Sequence, residues 1–483
     1  MTITQTDEHK GSTDCANHAA TAELIDHTGF MVDNKGNSIF QVPFQARYPV
    51  QGLVIFGKGR TGRPFYGGLG GGLLVEGDLD LCLVEEAVQR LFDDIDSTRI
   101  MFPASPDLPI HYRIRDHVSF KLEVFPIYEG SFKERVAAAA ASEYPHLSTL
   151  KTYVDVALRV VVYDLGIAPS GKHGWVIAFS ASHVAVDDQG IFLVIDQFMA
   201  NYRGENRMVV HQHSLLDCLN YMNDNPDCDD PEANRAYWRR EMQGFVTPSL
   251  HESNPDRTTP IDPADLKFML DTEQVKRLAL ACQTTLPSLF MAALHIGIAA
   301  GFNLRDSAIC MLTEARPNYI FWNTVVHGLM SMNHRMQIED SESFLEFARR
   351  TVLKMSSNLQ NLASEEYVGG AAPVYYTYVS PVKSPNLGEG LDCKTWMPDL
   401  IGDDAGYLPW PEVAIVEGAD TMEFMLLVLD QSICFFTPNE ARAFAYGVRR
   451  CLELAIENPG VLVADIVEKV QTELRAKGVI TEF

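Results

Sequence analysis

Apolar positions recur with two periods along the chain, and the switching between them sets out its elements. Gly71 to Glu76 reads as a strand, and Val84, Ala87, Val88 and Leu91 after it follow the 3.6-residue spacing of a one-faced helix. A strand passing into an amphipathic helix predicts a layered α/β domain. Two runs dense in Val, Ile, Phe and Tyr, Ala157 to Asp164 and Trp175 to Ser182, predict buried strands. Past a turn at Asp187, Asp188 and Gly190, one helical face collects Ile191, Val194, Ile195, Phe198 and Tyr202 and stops near Gly204. His183 therefore stands where a strand hands over to a helix.

Between Met208 and Thr259 the pattern turns polar around a helix-like ANRAYWRREM, which predicts a linker region. A second half follows. It has a helical stretch from Thr272 to Phe302, a strand-like SAICML and the loop TEARPNYIFWNTVVHG. Beyond these comes a helix with Phe344, Phe347, Ala348, Thr351 and Met355 on one face. Its ending repeats the theme, with a strand from Glu423 to Leu429 and a helix carrying Phe444, Val448, Cys451, Leu452 and Ala455. The pattern predicts a polar extension over residues 1–38, a first subdomain over 39–207 and a second, including the linker, over 208–483. Both halves read as mixed sheet plus helices, with no repeat in the letters themselves.

A length of 483 residues implies two to three domains, and 46% apolar with 21% charged residues is an ordinary globular mixture. The formal charge of −25 argues against a sequence-independent grip on nucleic acid. It would also repel coenzyme A or an acidic carrier at long range, so such a ligand needs a local basic patch. The amino terminus has no secretory pattern, and the most apolar long segment, Leu289 to Phe302, is interrupted by His295 and too short for a bilayer. These features predict a soluble, cytoplasmic protein with no membrane partner. Nine scattered cysteines without a CxxC pair predict reduced, structural thiols rather than a disulfide framework or metal cluster.

Candidate chemistry narrows on one residue. Gly57, Gly59 and Gly62 in LVIFGKGRTG have GxGxxG spacing, but Arg63-Pro64 and then GGLGGG follow where a dinucleotide fingerprint needs a helix, so a glycine-rich loop is expected. His211 and His213 in HQH lack a third zinc ligand, and with His327 and His334 they are expected at the surface. No GxSxG elbow supports a serine hydrolase. His183 differs by its setting, because a residue leaving a buried strand projects into the cleft beyond it, and a neutral imidazole there can take a proton from an attacking hydroxyl or amine. On the residues alone a hydrogen-bonded loop histidine is the favoured reading.

The stretch SHVAVDDQG resembles the HHxxxDG motif of the chloramphenicol acetyltransferase-like superfamily, which includes nonribosomal peptide synthetase condensation domains and stand-alone acyltransferases. Other segments fall in the family's order. GGLLVEGDLDLCLVEEAVQRLFDDIDSTRIMF is similar to its opening strand, helix and "LRT" region, with Arg99 in the arginine place. ANRAYWRREM is similar to its "YW" helix and TEQVKRLALACQTTLPSLFMAALHIGIAAG to its second-half helices. ARPNYIFWNTVVHGLMSMNHRMQI resembles the segment with its second arginine and "GxFVNT" stretch, and LAIENPGVLVADI the closing helix and "ADP" turn.

The resemblance implies a V-shaped pseudo-dimer of two α/β sandwiches with a central tunnel, in which His183 is the catalytic base or aligner and Asp187 forms a structural pair with Arg316. It implies no metal and no bound cofactor. The implied donor is a phosphopantetheine thioester, from coenzyme A or an acyl or peptidyl carrier protein, and the acceptor a small-molecule amine or alcohol. Three departures stand out: Ser182 replaces the motif's first histidine, Asp188 its glycine, and Asn333, the candidate oxyanion helper, falls one place late. Gly190 completes the expected lining. Oxygenase-recruiting X domains share the fold and a degraded motif, so a docking role is the alternative expectation.

Overall fold

The computed structural model describes residues 39–43, 68–101, 111–149, 156–182, 185–205, 215, 217–218, 221, 231–246, 262–314, 316, 319–361, 374–380, 385–397, 411–418, 420–427 and 437–480. The glycine fingerprint at Gly57 to Gly62, the HQH histidines and the extension over residues 1–38 lie outside these residues.

In the first half the apolar strands assemble as expected, with shifted limits. Strands β2 (Gly68–Glu76), β5 (Val124–Pro126), β6 (Leu158–Ile167) and β7 (His173–Ser182) form a sheet in the order β2-β7-β6-β5. Strand β2 starts three residues before the expected Gly71, so most of the GGLGGG run is strand rather than loop. The cause is close approach: a β-carbon at Gly72 would lie 2.1 Å from the Ile177 carbonyl oxygen of β7 and 3.1 Å from the Trp396 ring. Helix α1 (Leu81–Asp94), capped by Asp80, and α3 (Asp188–Tyr202) pack their apolar stripes on one face. Helix α2 (Phe132–Thr149) covers the other, over Val161, Tyr163, Val176 and Ala178. A separate small sheet joins β1 (Ile39–Pro43), β4 (His111–Arg115) and β3 (Ile100–Met101).

The second half carries a sheet in the order β10-β9-β11-β13-β14-β8. Its strands are β8 (Lys267–Asp271), β9 (Asp306–Glu314), β10 (Leu329–Gln337), β11 (Tyr375–Val379), β13 (Glu412–Glu417) and β14 (Thr421–Leu427). Helix α4 (Pro231–Glu241) precedes it, and its core is shared with α5 (Thr272–Cys282), α6 (Leu286–Phe302), α7 (Phe344–Gln360), α8 (Pro438–Glu457) and α9 (Val463–Ala476). The stretch expected as helical from Thr272 to Phe302 is two helices bent by 89°. Gln283 breaks it in a left-handed conformation at φ 52°, and Thr285 caps α6 through the Ser288 N–H. The resemblance to a closing "ADP" turn is displaced, since Val463 already opens α9. Among the described residues no single helix is long and apolar enough to cross a membrane.

Two segments stitch the halves together. Strand β12 (Asp392–Trp396), from the second half of the chain, pairs antiparallel with β2 and becomes the edge of the first sheet, with Leu387 buried in the first core. The loop before β10 likewise sinks Phe321, Val325 and Val326 into that core.

Candidate active site

The motif turn begins where β7 ends. Ser182 is buried, its N–H donates to the Ala157 carbonyl at 2.8 Å, and its own carbonyl accepts from Ala185 and Val186 at 2.9 and 3.2 Å. His183 and Val184 lie outside the described residues, but the chain on either side of them is pinned. Asp187 ends the turn as the N-cap of α3, accepting from the Gly190 N–H at 2.7 Å. Gly190 is confined, because a β-carbon there would lie 3.1 Å from Asp187 Oδ1 and 3.2 Å from Val186 Cβ. Asp188 is the half-buried first residue of the helix.

Asp187 is fully buried and also binds across the halves. Arg316 Nη2 donates to Oδ1 and the Gly328 N–H donates to Oδ2, each at 2.9 Å, and the Arg316 side chain is only 2% exposed. Burial, the largest influence, pushes the carboxyl up, but the Arg316 charge and hydrogen bond, the His327 charge and the Gly190 N–H outweigh it. Asp187 is held below the usual carboxylate range. An ionised carboxylate with both oxygens engaged is a structural anchor, not a proton acceptor for chemistry. Two further bonds fasten the same loop: Gln189 Nε2 donates to the Trp322 carbonyl at 2.9 Å, and Ser97 Oγ to the Val325 carbonyl at 2.7 Å.

The other expected residues scatter. Arg99 closes the end of α1, donating to the Phe92 and Asp93 carbonyls and to Asp96. Asn333 lies buried on β10, five residues from Gly328, which places it about 17 Å along the strand from the Asp187 cluster. His327 and His334, expected at the surface, are buried. His334 is tied into the second core, accepting at Nδ1 from His295 Nε2 at 3.0 Å and donating at Nε2 to the Thr351 carbonyl at 3.3 Å. The carbonyl can only accept, which fixes the tautomers of both rings. The cleft at the far end of β10, about 530 Å³ and flanked by Arg240, Arg335, Arg350 and Lys354, gathers cations. Three of them are already engaged, by Asp306, Glu342 and Glu241.

The sequence reading missed a second buried carboxylate. Glu143 of α2, 1% exposed, receives Arg159, the Tyr163 hydroxyl at 2.5 Å and the Ser180 hydroxyl at 2.7 Å. Burial and then the Glu143 interactions push the Tyr163 hydroxyl well above its ordinary value, so it stays a donor. An acid in an alanine-rich helix gives no sign in the letters that it faces inward.

The sequence matches the condensation-domain family over residues 71–363. No curated protein matches it. Among solved structures, the condensation domain from the monacolin K polyketide synthase MokA superposes with a TM-score of 0.69 at 14% identity, covering 89% of this chain and 100% of that one. The X-domain from teicoplanin biosynthesis, also solved in complex with OxyB, gives 0.62 at 16% identity over 90% and 98% of the two chains. The starter condensation domain of rhizomide synthetase RzmA, as a variant with C8-CoA, gives 0.63 at 12% over 83% and 91%. The fold is accordingly the pseudo-dimeric, chloramphenicol acetyltransferase-like one.

Proposed function

The chain belongs to the condensation-domain family, and on that premise we propose that it is an acyltransferase of specialised metabolism. It moves an acyl group from a coenzyme A or carrier-bound phosphopantetheine thioester to an amine or alcohol. His183 takes the proton of the attacking N–H or O–H as the new bond to the thioester carbonyl carbon forms. The tetrahedral intermediate then collapses, the carbon–sulfur bond breaks, and the imidazolium returns the proton to the leaving thiolate.

The observation that carries this reading is the anchoring of the turn around position 183. Ser182 is fixed to Ala157, and Asp187 to Arg316, Gly328 and Gly190, so a short turn between a strand end and a helix is held from both sides. Anchored flanks of this kind suit a base that must meet an attacking group in one geometry. The departures from the motif at Ser182 and Asp188, with the likeness to the X-domain that binds OxyB, favour a docking role as the second reading.

Mass spectrometry of products from a panel of acyl-coenzyme A and acyl-carrier thioesters with pooled amines and alcohols separates the two. A new amide or ester supports acyl transfer and identifies the donor. Absence of product with every donor, together with retention of an oxygenase in a pull-down, supports docking.

A further inference from the structure

We propose that Arg159 recognises an oxyanion carried by the substrate, a carboxylate or a phosphate, and that Glu143 holds the guanidinium ready for it. This rests on the acyl-transfer reading for the identity of the substrate, but not for the binding itself.

Helix α2 advances along β7 from Phe132, which packs on Gly174, to Glu143, which meets Ser180. Six further residues carry it to Thr149, about 9 Å beyond, over the end of the strand. Beneath this stretch Arg159 and Ser180 are direct partners in the β6–β7 ladder. Ser182, on the same face, is the diagonal neighbour of Arg159 at about 7–8 Å, and His183 is the next residue. Arg159 thus neighbours Ser182, on the face roofed by α2.

Its bonding is lopsided. Of the five N–H donors of a guanidinium, Glu143 takes one, at Nη1, and the Tyr163 hydroxyl oxygen is a second partner at the same end. The side chain is 19% exposed while Glu143 is 1% exposed. One end is therefore clamped by a carboxylate that Tyr163 and Ser180 hold in place, and the side chain keeps a partly exposed edge. A buried carboxylate is costly to desolvate, so a structure that keeps one to orient a partly open arginine has fixed a planar donor edge in advance. That edge fits two oxygens of one carboxylate or phosphate. On this substrate class the anion is the acceptor's carboxylate or the phosphate of the pantetheine arm.

Labelling of the full chain with phenylglyoxal at constant ionic strength, read at Arg159 by peptide mass spectrometry, tests this without turnover. The probes are matched pairs: 4′-phosphopantetheine against pantetheine, and alanine against alaninamide. Protection of about fivefold or more by the anionic member of one pair alone is expected. Protection by phosphopantetheine assigns the donor phosphate and protection by alanine the acceptor carboxylate. An Arg159 that resists labelling without probe, or is equally labelled with both members of both pairs, overturns the proposal. His183→Ala protein should behave as wild type here, so failure of the catalytic reading leaves this result distinct. With an active substrate in hand, Arg159→Lys should raise KM for it about tenfold while kcat and the KM of its neutral analogue stay unchanged. Equal effects on both substrates would make Arg159 structural only.

Discussion

Replacing Asp187 with alanine removes three hydrogen bonds at once, those from Gly190, Arg316 and Gly328. The lost helix cap costs about 1 kcal/mol. The Gly328 N–H, in a buried setting, loses its acceptor at about 1–3 kcal/mol. The larger part is Arg316, whose charge would stay in a site that is 2% exposed, at about 3–5 kcal/mol. These losses share one cluster and do not add, so we expect roughly 5 kcal/mol overall, or a fall in Tm on the order of 10 °C. Since the folded carboxyl lies below its ordinary value, its contribution is fully present above about pH 4 and disappears only as pH falls through the folded value. The deficit of Asp187→Ala should therefore be flat between about pH 6 and pH 8. Calorimetric melting of Asp187→Ala, Arg316→Leu and the double variant provides the assay. The double variant should recover about 2 kcal/mol relative to the sum of the singles. Strict additivity, or an Asp187→Ala protein that melts with wild type, would refute the claim that this pair anchors the motif turn.

Other parts of the structure make separate claims. His334 is pushed down to about 4 and His295 well below its ordinary value, chiefly by burial, so both are neutral in the fold. Their contribution is complete above the unfolded value near 6.5 and is lost on acidification by about 1.4 kcal/mol per pH unit per histidine, down to about pH 4 for His334. Melting temperature should fall steeply from pH 7 to pH 5, and a His295→Leu/His334→Leu protein should lose most of that slope; an unchanged slope would assign acid lability elsewhere. Gly72→Ala puts a β-carbon against the Ile177 carbonyl and should lower stability by more than about 2 kcal/mol in denaturant titration, whereas a neutral outcome would mean that β2 and β7 separate easily.

Legibility in the sequence followed the strength of local periodicity. The stripe of Val84, Ala87, Val88 and Leu91 and the run before His183 identified α1 and β7 because their burial is written in consecutive residues. Strand β12 was not legible, since a five-residue DCKTW says nothing about which sheet edge it will meet. Nor was β10, whose LMSMNHRMQ mixes polar and apolar residues because α7 covers its outer edge through Asn358 and Arg350. At the site, periodicity placed His183 and Asp187 at a strand-to-helix junction, but Arg316 came from resemblance alone, for its 129-residue separation from Asp187 leaves no local trace. Glu143 and His295 were missed for one reason: their burial depends on partners from other elements, which composition counts as polar surface.

The central claim is that His183 performs acyl transfer between flanks anchored at Ser182 and Asp187. The most direct measurement is kcat/KM of His183→Ala beside wild type with whichever thioester and acceptor give product, together with the melting temperature of both proteins. A loss of about 10²-fold or more with unchanged melting is predicted for a positioned general base. Turnover within about threefold of wild type would contradict the account and remove His183 from the chemistry.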